Sequence, residues 1–176
     1  MLKIEYKFVQ YEKDLSPKEK NLFLHNEAYM LLDKVLCEIG IKDYEIKKTA
    51  LGKPYIENSN IYFSISHTNG MVCCVVADTE CGIDCEKVEP RDKIKEMTNR
   101  YFVGDEITIM EGCNYSYEEF LRIWTCKESV GNRLGCGLIK AREIDSTKEN
   151  CSTIIENGYI ITVNIWKSID FIMKIV

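Results

Sequence analysis

Gly82-Ile83-Asp84-Cys85-Glu86 is the stretch on which the reading of the whole chain turns. Side chains along a β-strand alternate between its two faces, so Ile83 and Cys85 point one way while Asp84 and Glu86 point the other. The apolar side calls for a core. The other side sets two carboxylates abreast, and these repel each other unless a cation lies between them. Further on, Trp124-Thr125-Cys126-Lys127-Glu128-Ser129 places a third acid, Glu128, in a helical stretch. Three oxygen donors with no histidine beside them suit a hard ion such as Mg²⁺, which takes a few carboxylates and completes its octahedron with water and phosphate oxygens. The pattern outlines a phosphate-handling site.

Working outward, Leu2 to Val9 alternates apolar and polar residues and reads as a strand. Ser16-Pro17-Lys18-Glu19 is a capping box with proline at the first helical position, so a helix starts there and runs to Gly40. Tyr62 to Ile65 and Met71 to Ala77 form a predicted hairpin, with Asn69-Gly70 in the turn and the Ser66-His67 pair at its corner. Helices are expected over Arg91 to Phe102 and over Tyr117 to Leu134, the second ended by Gly135 and Gly137. Asn157-Gly158 signals a type I′ hairpin within Ile154 to Ile160, and Phe171 to Val176 reads as a closing strand. The order of strand, long helix and strands, then strand, helices and strands, gives the α+β class. It fits two similar halves, residues 1–80 and 81–176, with the metal site in the second.

Composition narrows the function classes. The chain has 176 residues, of which 45% are hydrophobic and 29% charged, enough for a buried core. Its 23 basic and 28 acidic side chains leave a net charge of −5, which argues against a nucleic-acid binder relying on counterion release. No apolar run approaches the ~20 residues that span a bilayer, and Met1-Leu2-Lys3-Ile4-Glu5 is not a signal peptide, so a cytoplasmic location without membrane attachment is expected. The nine cysteines form no Cys-x-x-Cys pair and their number is odd, which disfavours a disulfide framework or a zinc site. Cys37, Cys73, Cys74, Cys85 and Cys126 fall in apolar stretches and read as small core residues.

The order of Gly52-Lys53-Pro54, Phe63-Ser64-Ile65-Ser66-His67-Thr68, Gly82 to Glu86, Trp124 to Ser129 and Gly135-Cys136-Gly137-Leu138 resembles the 4'-phosphopantetheinyl transferases of the Sfp type. The resemblance covers residues 50–140. It implies a pseudo-dimer of two small antiparallel α+β lobes, a monomeric enzyme with coenzyme A in the cleft between them, and an acyl or peptidyl carrier protein as acceptor. Asp84, Glu86 and Glu128 match the positions that hold Mg²⁺ on the coenzyme A diphosphate. Glu128 is also the candidate base for the attacking serine hydroxyl. Ser66 and His67 match residues on the nucleotide phosphates, and Lys53 a lysine that contacts the cofactor. Lys127 stands either as a phosphate contact in the catalytic set or as half of a structural ion pair. Trp124 packs and positions its helix. Tyr101, Phe102 and Ile107 offer an apolar patch for a carrier.

Two positions depart from the pattern. A lysine often found four residues after the glutamate is Asn132 here, with Arg133 next to it as a substitute phosphate contact. A basic residue of the long helix is replaced by Tyr29, with Lys18 and Lys20 as alternatives. These departures keep open a non-catalytic homologue that binds coenzyme A or a carrier. A generic Mg²⁺ phosphodiester-cleaving enzyme is the other rival reading.

Overall fold

The computed structural model describes residues 1–12, 14–137, 140 and 142–166. Two three-stranded antiparallel sheets lie face to face, each with a helix across its outer side. In the first sheet the order is β1 (Leu2–Phe8), β5 (Met71–Ala77), β4 (Tyr62–Thr68); β5 is central and buried along its whole length. The long helix α1 (Pro17–Glu38) covers that sheet. Its start obeys the capping box: Ser16 Oγ accepts the Glu19 N–H, and the Glu19 carboxylate accepts the Ser16 N–H at 2.8 Å. Leu24, Ala28, Leu31, Leu32, Val35 and Leu36 recur at helical spacing and meet Val72, Cys74 and Val76 of β5. A two-stranded ribbon, β2 (Ile46–Lys48) with β3 (Pro54–Ile56), links α1 to β4.

The second sheet has the order β6 (Cys81–Lys87), β8 (Tyr159–Ile165), β7 (Cys151–Glu156), again antiparallel. Asn157 and Gly158 both have positive φ (48° and 79°), as the two central positions of a type I′ turn between β7 and β8 require. Ile83 and Cys85 join Ile161 and Val163 in the core between the sheets, against Met71, Cys73, Val75 and Ala77. The opposite side of β6 therefore faces helix α4 (Tyr117–Leu134). Gly82 makes that approach possible. A Cβ there would lie 2.0 Å from the Ser129 carbonyl oxygen and 2.5 Å from the Arg133 nitrogen. Helices α2 (Ile94–Tyr101) and α3 (Asp105–Gly112) close a third core with Phe120, Leu121 and Trp124. Among the described residues no helix is long and apolar enough to cross a membrane.

The α+β class with antiparallel pairing holds, and several local readings change. Ser66 and His67 are not at a hairpin corner: β4 runs on to Thr68, and they pair with Cys73 and Val72. The reversal falls at Asn69-Gly70 as expected, with Gly70 at φ 89°. The helix predicted from Arg91 begins at Ile94, and α3 was not anticipated. Phe102 is no surface anchor; it is 3% exposed and stacks on Phe120 at 5.2 Å between centroids. Cys73, Cys74 and Cys85 are buried as expected, but Cys37 is exposed. Cys126 is joined to Cys151 in a disulfide linking α4 to β7. Their separation of 25 residues gives no local signal, because only the packing of helix on sheet brings them together. The strand expected over Phe171 to Val176 lies outside the described residues.

Candidate active site

Along one side of β6 a cleft of about 510 Å³ opens, bounded by α1, the loop before β3, β4 and α4. Asp84, Glu86 and Glu128 line it together with Ser66, His67 and Lys53. Alternation along β6 brings the acids there: Ile83 and Cys85 fill the inter-sheet core, so Asp84 and Glu86 turn toward α4, which carries Glu128.

Asp84 is 9% exposed; its Oδ1 accepts the Ser66 hydroxyl at 2.8 Å, and among the described residues its Oδ2 has no hydrogen-bond partner. Burial pushes its carboxyl well above the usual carboxylate range, and the charges of Glu128 and Glu86 push it further. Glu128 is held up to about 7, first by burial and then by Glu86. Glu86 Oε2 accepts Arg91 Nη2 at 2.6 Å.

The donor set suits a divalent ion. Each of the three carboxylates offers hard oxygen ligands, two of them are disfavoured as anions by burial and mutual repulsion, and one buried oxygen lacks any partner. The acids do not form a closed cage: among the described residues no three His, Cys, Asp or Glu side chains are placed to hold a metal by themselves. This agrees with Mg²⁺ chemistry, in which one or two carboxylates, waters and substrate phosphates complete the sphere.

The outer edge of β6 is tied down at Ile83, one residue before the first of the acids. The Ile83 N–H donates to Ser64 Oγ at 3.2 Å, and Asn132 Nδ2 donates to the Ile83 carbonyl at 2.9 Å. Asn132, standing where a lysine was anticipated, thus satisfies the backbone one residue before Asp84. Asn132→Leu should orphan that carbonyl and cost about 1–3 kcal/mol. A urea titration should show a lower midpoint with an unchanged slope; an unchanged midpoint would remove this role.

Other expected residues divide. Lys53 lines the cleft, but its ammonium donates to the Arg133 carbonyl at the C-terminal end of α4, and burial lowers its pKa. His67 is half-buried in the cleft, with its pKa lowered by burial and then by His25, whose ring centroid is 6.4 Å away. Tyr29 also lines the cleft, while Lys18 and Lys20 do not; the Lys20 ammonium lies over the Tyr11 ring. Trp124 packs against Phe120 and Tyr101, as a positioning residue should.

Arg133 is a correction, and Lys127 takes the second of its two readings, the structural ion pair. Both belong to α4, but on sides turned away from the cleft. The Lys127 ammonium is fully buried and donates to both Glu106 oxygens, at 3.0 and 2.8 Å, and to the Ile144 carbonyl. Arg133, 4% exposed, donates to Asn164 Oδ1 and to Glu149. Neither guanidinium nor ammonium is free to meet a phosphate. In return, His25 and Lys48 line the cleft without having been anticipated. His25 lies one helical turn before Tyr29 on the same face of α1, and that spacing was the available signal. Lys48 gave none beyond its nearness to Gly52-Lys53-Pro54.

Comparison with known proteins matches the model of the 4'-phosphopantetheinyl transferase superfamily over residues 80–168. The chain is 32% identical over 107 residues to the 4'-phosphopantetheinyl transferase HetI of a Nostoc species, covering 58% of this chain and 45% of that protein. It is 32% identical over 115 residues to the 4'-phosphopantetheinyl transferase gsp of Aneurinibacillus migulanus, covering 62% and 47%. A third relative, 4'-phosphopantetheinyl transferase AcpT of Salmonella typhimurium, is 30% identical over 100 residues, covering 54% and 52%. The chain spans about half the length of these relatives. With the family match extending over half of its residues, from the start of β6 through β8, the chain belongs to the 4'-phosphopantetheinyl transferase superfamily.

Proposed function

We propose that this protein transfers the 4'-phosphopantetheine group of coenzyme A to a serine hydroxyl of an apo acyl or peptidyl carrier protein, with Mg²⁺ as the metal. The observation that carries the reading is the convergence of Asp84, Glu86 and Glu128 on one cleft wall, with an unpartnered buried oxygen on Asp84. His67, His25, Lys48 and Lys53 lie along the same cleft and supply the polar and basic groups a nucleotide would need. The whole would work as a cytoplasmic monomer built as a pseudo-dimer, lobe 1–80 receiving the nucleotide against lobe 81–176, which carries the acids.

In this reading Asp84, Glu86 and Glu128 would hold Mg²⁺. When bound, the ion supplies charge neutralisation at the phosphate oxygens. Ser66 fixes one Asp84 oxygen so that the other faces the cleft. Glu128 takes the proton from the serine hydroxyl, as a carboxylate lining the same cleft can. The serine oxygen then bonds to the β-phosphorus as the bond to the α-phosphate oxygen breaks, and adenosine 3',5'-bisphosphate leaves. Chromatography of the nucleotide products tests this. Release of the bisphosphate only when carrier is present supports transfer, whereas release with coenzyme A alone would favour a phosphodiester-cleaving enzyme.

The crowded acids also set a pH dependence. In the folded chain Glu128 keeps its proton up to about 7, against an ordinary value of 4.5. Between those values the folded state binds protons that the unfolded chain has released, so stability is highest below them and falls as pH rises through about 7. Asp84 acts in the same direction. Thermal melting without metal should give a lower midpoint at about pH 8 than at about pH 5, and Mg²⁺ should raise the midpoint mainly at the higher pH. A midpoint that rises with pH in the metal-free protein would contradict this.

A further inference from the structure

Of the three cleft acids, one already has a cation. Glu86 Oε2 accepts Arg91 Nη2 at 2.6 Å, with Thr68 Oγ1 3.5 Å from the same oxygen. Among the described residues neither Asp84 nor Glu128 makes an ion pair within 4.0 Å. Arg91 comes from the segment between β6 and α2, five residues after its partner, so the strand that presents Glu86 also supplies the group that neutralises it. The pair is partly screened from water, with side chains 33% and 20% exposed.

We propose that Arg91 is a built-in competitor for the cation position beside Glu86, holding the place that a divalent ion takes over. The inference rests on the reading that Asp84, Glu86 and Glu128 receive such an ion. A guanidinium is weakly hydrated and always charged, so it neutralises a carboxylate without a strong hydration shell to give up. It meets phosphate oxygens only through hydrogen bonds, whereas a divalent ion coordinates them directly. Both cations need the same carboxylate, and at a few ångströms they repel each other strongly in a partly dehydrated site. The ion must therefore displace the Arg91 head group or bind against its field. Either route sets a threshold on ion concentration, and coenzyme A phosphates arriving with the ion would help to cross it.

This account also explains why the acids do not stand as a preformed cage. Glu86 is drawn toward Arg91, while Asp84 keeps an oxygen with no partner. Arg91 is thus a positioning residue that acts through Glu86, one third exposed on a connecting segment where substitution leaves the core untouched.

Direct titration of Mn²⁺ onto the protein without carrier, followed by the spin resonance of the free ion, tests the proposal. Arg91→Gln should tighten Mn²⁺ binding by about three- to tenfold, whereas Arg91→Lys, which keeps the charge, should stay near the natural affinity. In a Glu86→Gln background the Arg91→Gln change should lose most of its effect, because the shared partner is gone. Unchanged or weaker Mn²⁺ binding in Arg91→Gln would overturn the competitor role while leaving the metal site standing. No Mn²⁺ binding by the natural protein, with or without coenzyme A, would overturn both the metal reading and this inference.

Discussion

Glu128→Gln is expected to lower carrier modification by at least about 10²-fold while leaving the metal-free fold intact or slightly stabilised. The shape of the side chain is kept, and what disappears is an ionisable carboxylate. Loss of a general base alone costs about 10²–10⁴-fold, and loss of a ligand to the ion adds to that. The fold should not suffer, since burial and the charge of Glu86 already disfavour the ionised form, with the group held up to about 7. A neutral amide relieves that repulsion with Asp84 as well. Single-turnover transfer and thermal melting, run on the same preparation, separate the two effects. Retained transfer would remove Glu128 from the chemistry, and a collapsed melting temperature would make it a structural residue.

Lys127→Met is expected to show the opposite signature, a large loss of stability with chemistry preserved in whatever remains folded. The Lys127 ammonium is inaccessible to water and has Glu106 on two oxygens. Glu106 is equally buried and accepts the Ser146 N–H at 2.8 Å, the Ser146 hydroxyl at 2.5 Å and the Val103 N–H at 2.8 Å. Removing the lysine leaves a buried carboxylate without its counter-charge, which costs about 3–5 kcal/mol. That is a large part of what holds most domains folded. The double variant Glu106→Gln with Lys127→Met should recover part of the loss, because no charge is then stranded. Denaturant titration gives the stabilities. If Lys127→Met were stable but inactive per folded molecule, the lysine would belong to the cleft after all.

The contrast between neighbouring Lys127 and Glu128 shows where sequence reading stopped. Elements governed by near neighbours were legible: the Ser16–Glu19 capping box, the Asn157-Gly158 turn, the alternation that turns Asp84 and Glu86 to one side, and the Tyr117–Leu134 helix. Each depends on residues a few positions apart. The partner of Lys127 lies 21 residues back, in a helix whose Asp105-Glu106 start reads as solvent-facing. Only tertiary packing makes Glu106 a core acid, so α3 went unseen and the two readings of Lys127 could not be separated. Ser66 and His67 misled in a similar way. A polar pair near Asn69-Gly70 suggests a corner, yet here the strand continues because its polar side chains reach the β6 edge and the cleft. Asn132 looked like a catalytic loss and proved to be a backbone partner for Ile83. The cleft wall contributed by His25 and Lys48 depends on how α1 and β2 come round to face β6, which no local pattern encodes.

Intact-mass analysis of a panel of apo carrier proteins, incubated with this protein, coenzyme A and Mg²⁺ and in parallel with a chelator, tests the central claim most directly. The account predicts that at least one carrier gains a single phosphopantetheine on its serine, and that the chelator abolishes the gain. Coenzyme A binding without a mass gain on any carrier would contradict it, and the cleft would then belong to a non-catalytic binder.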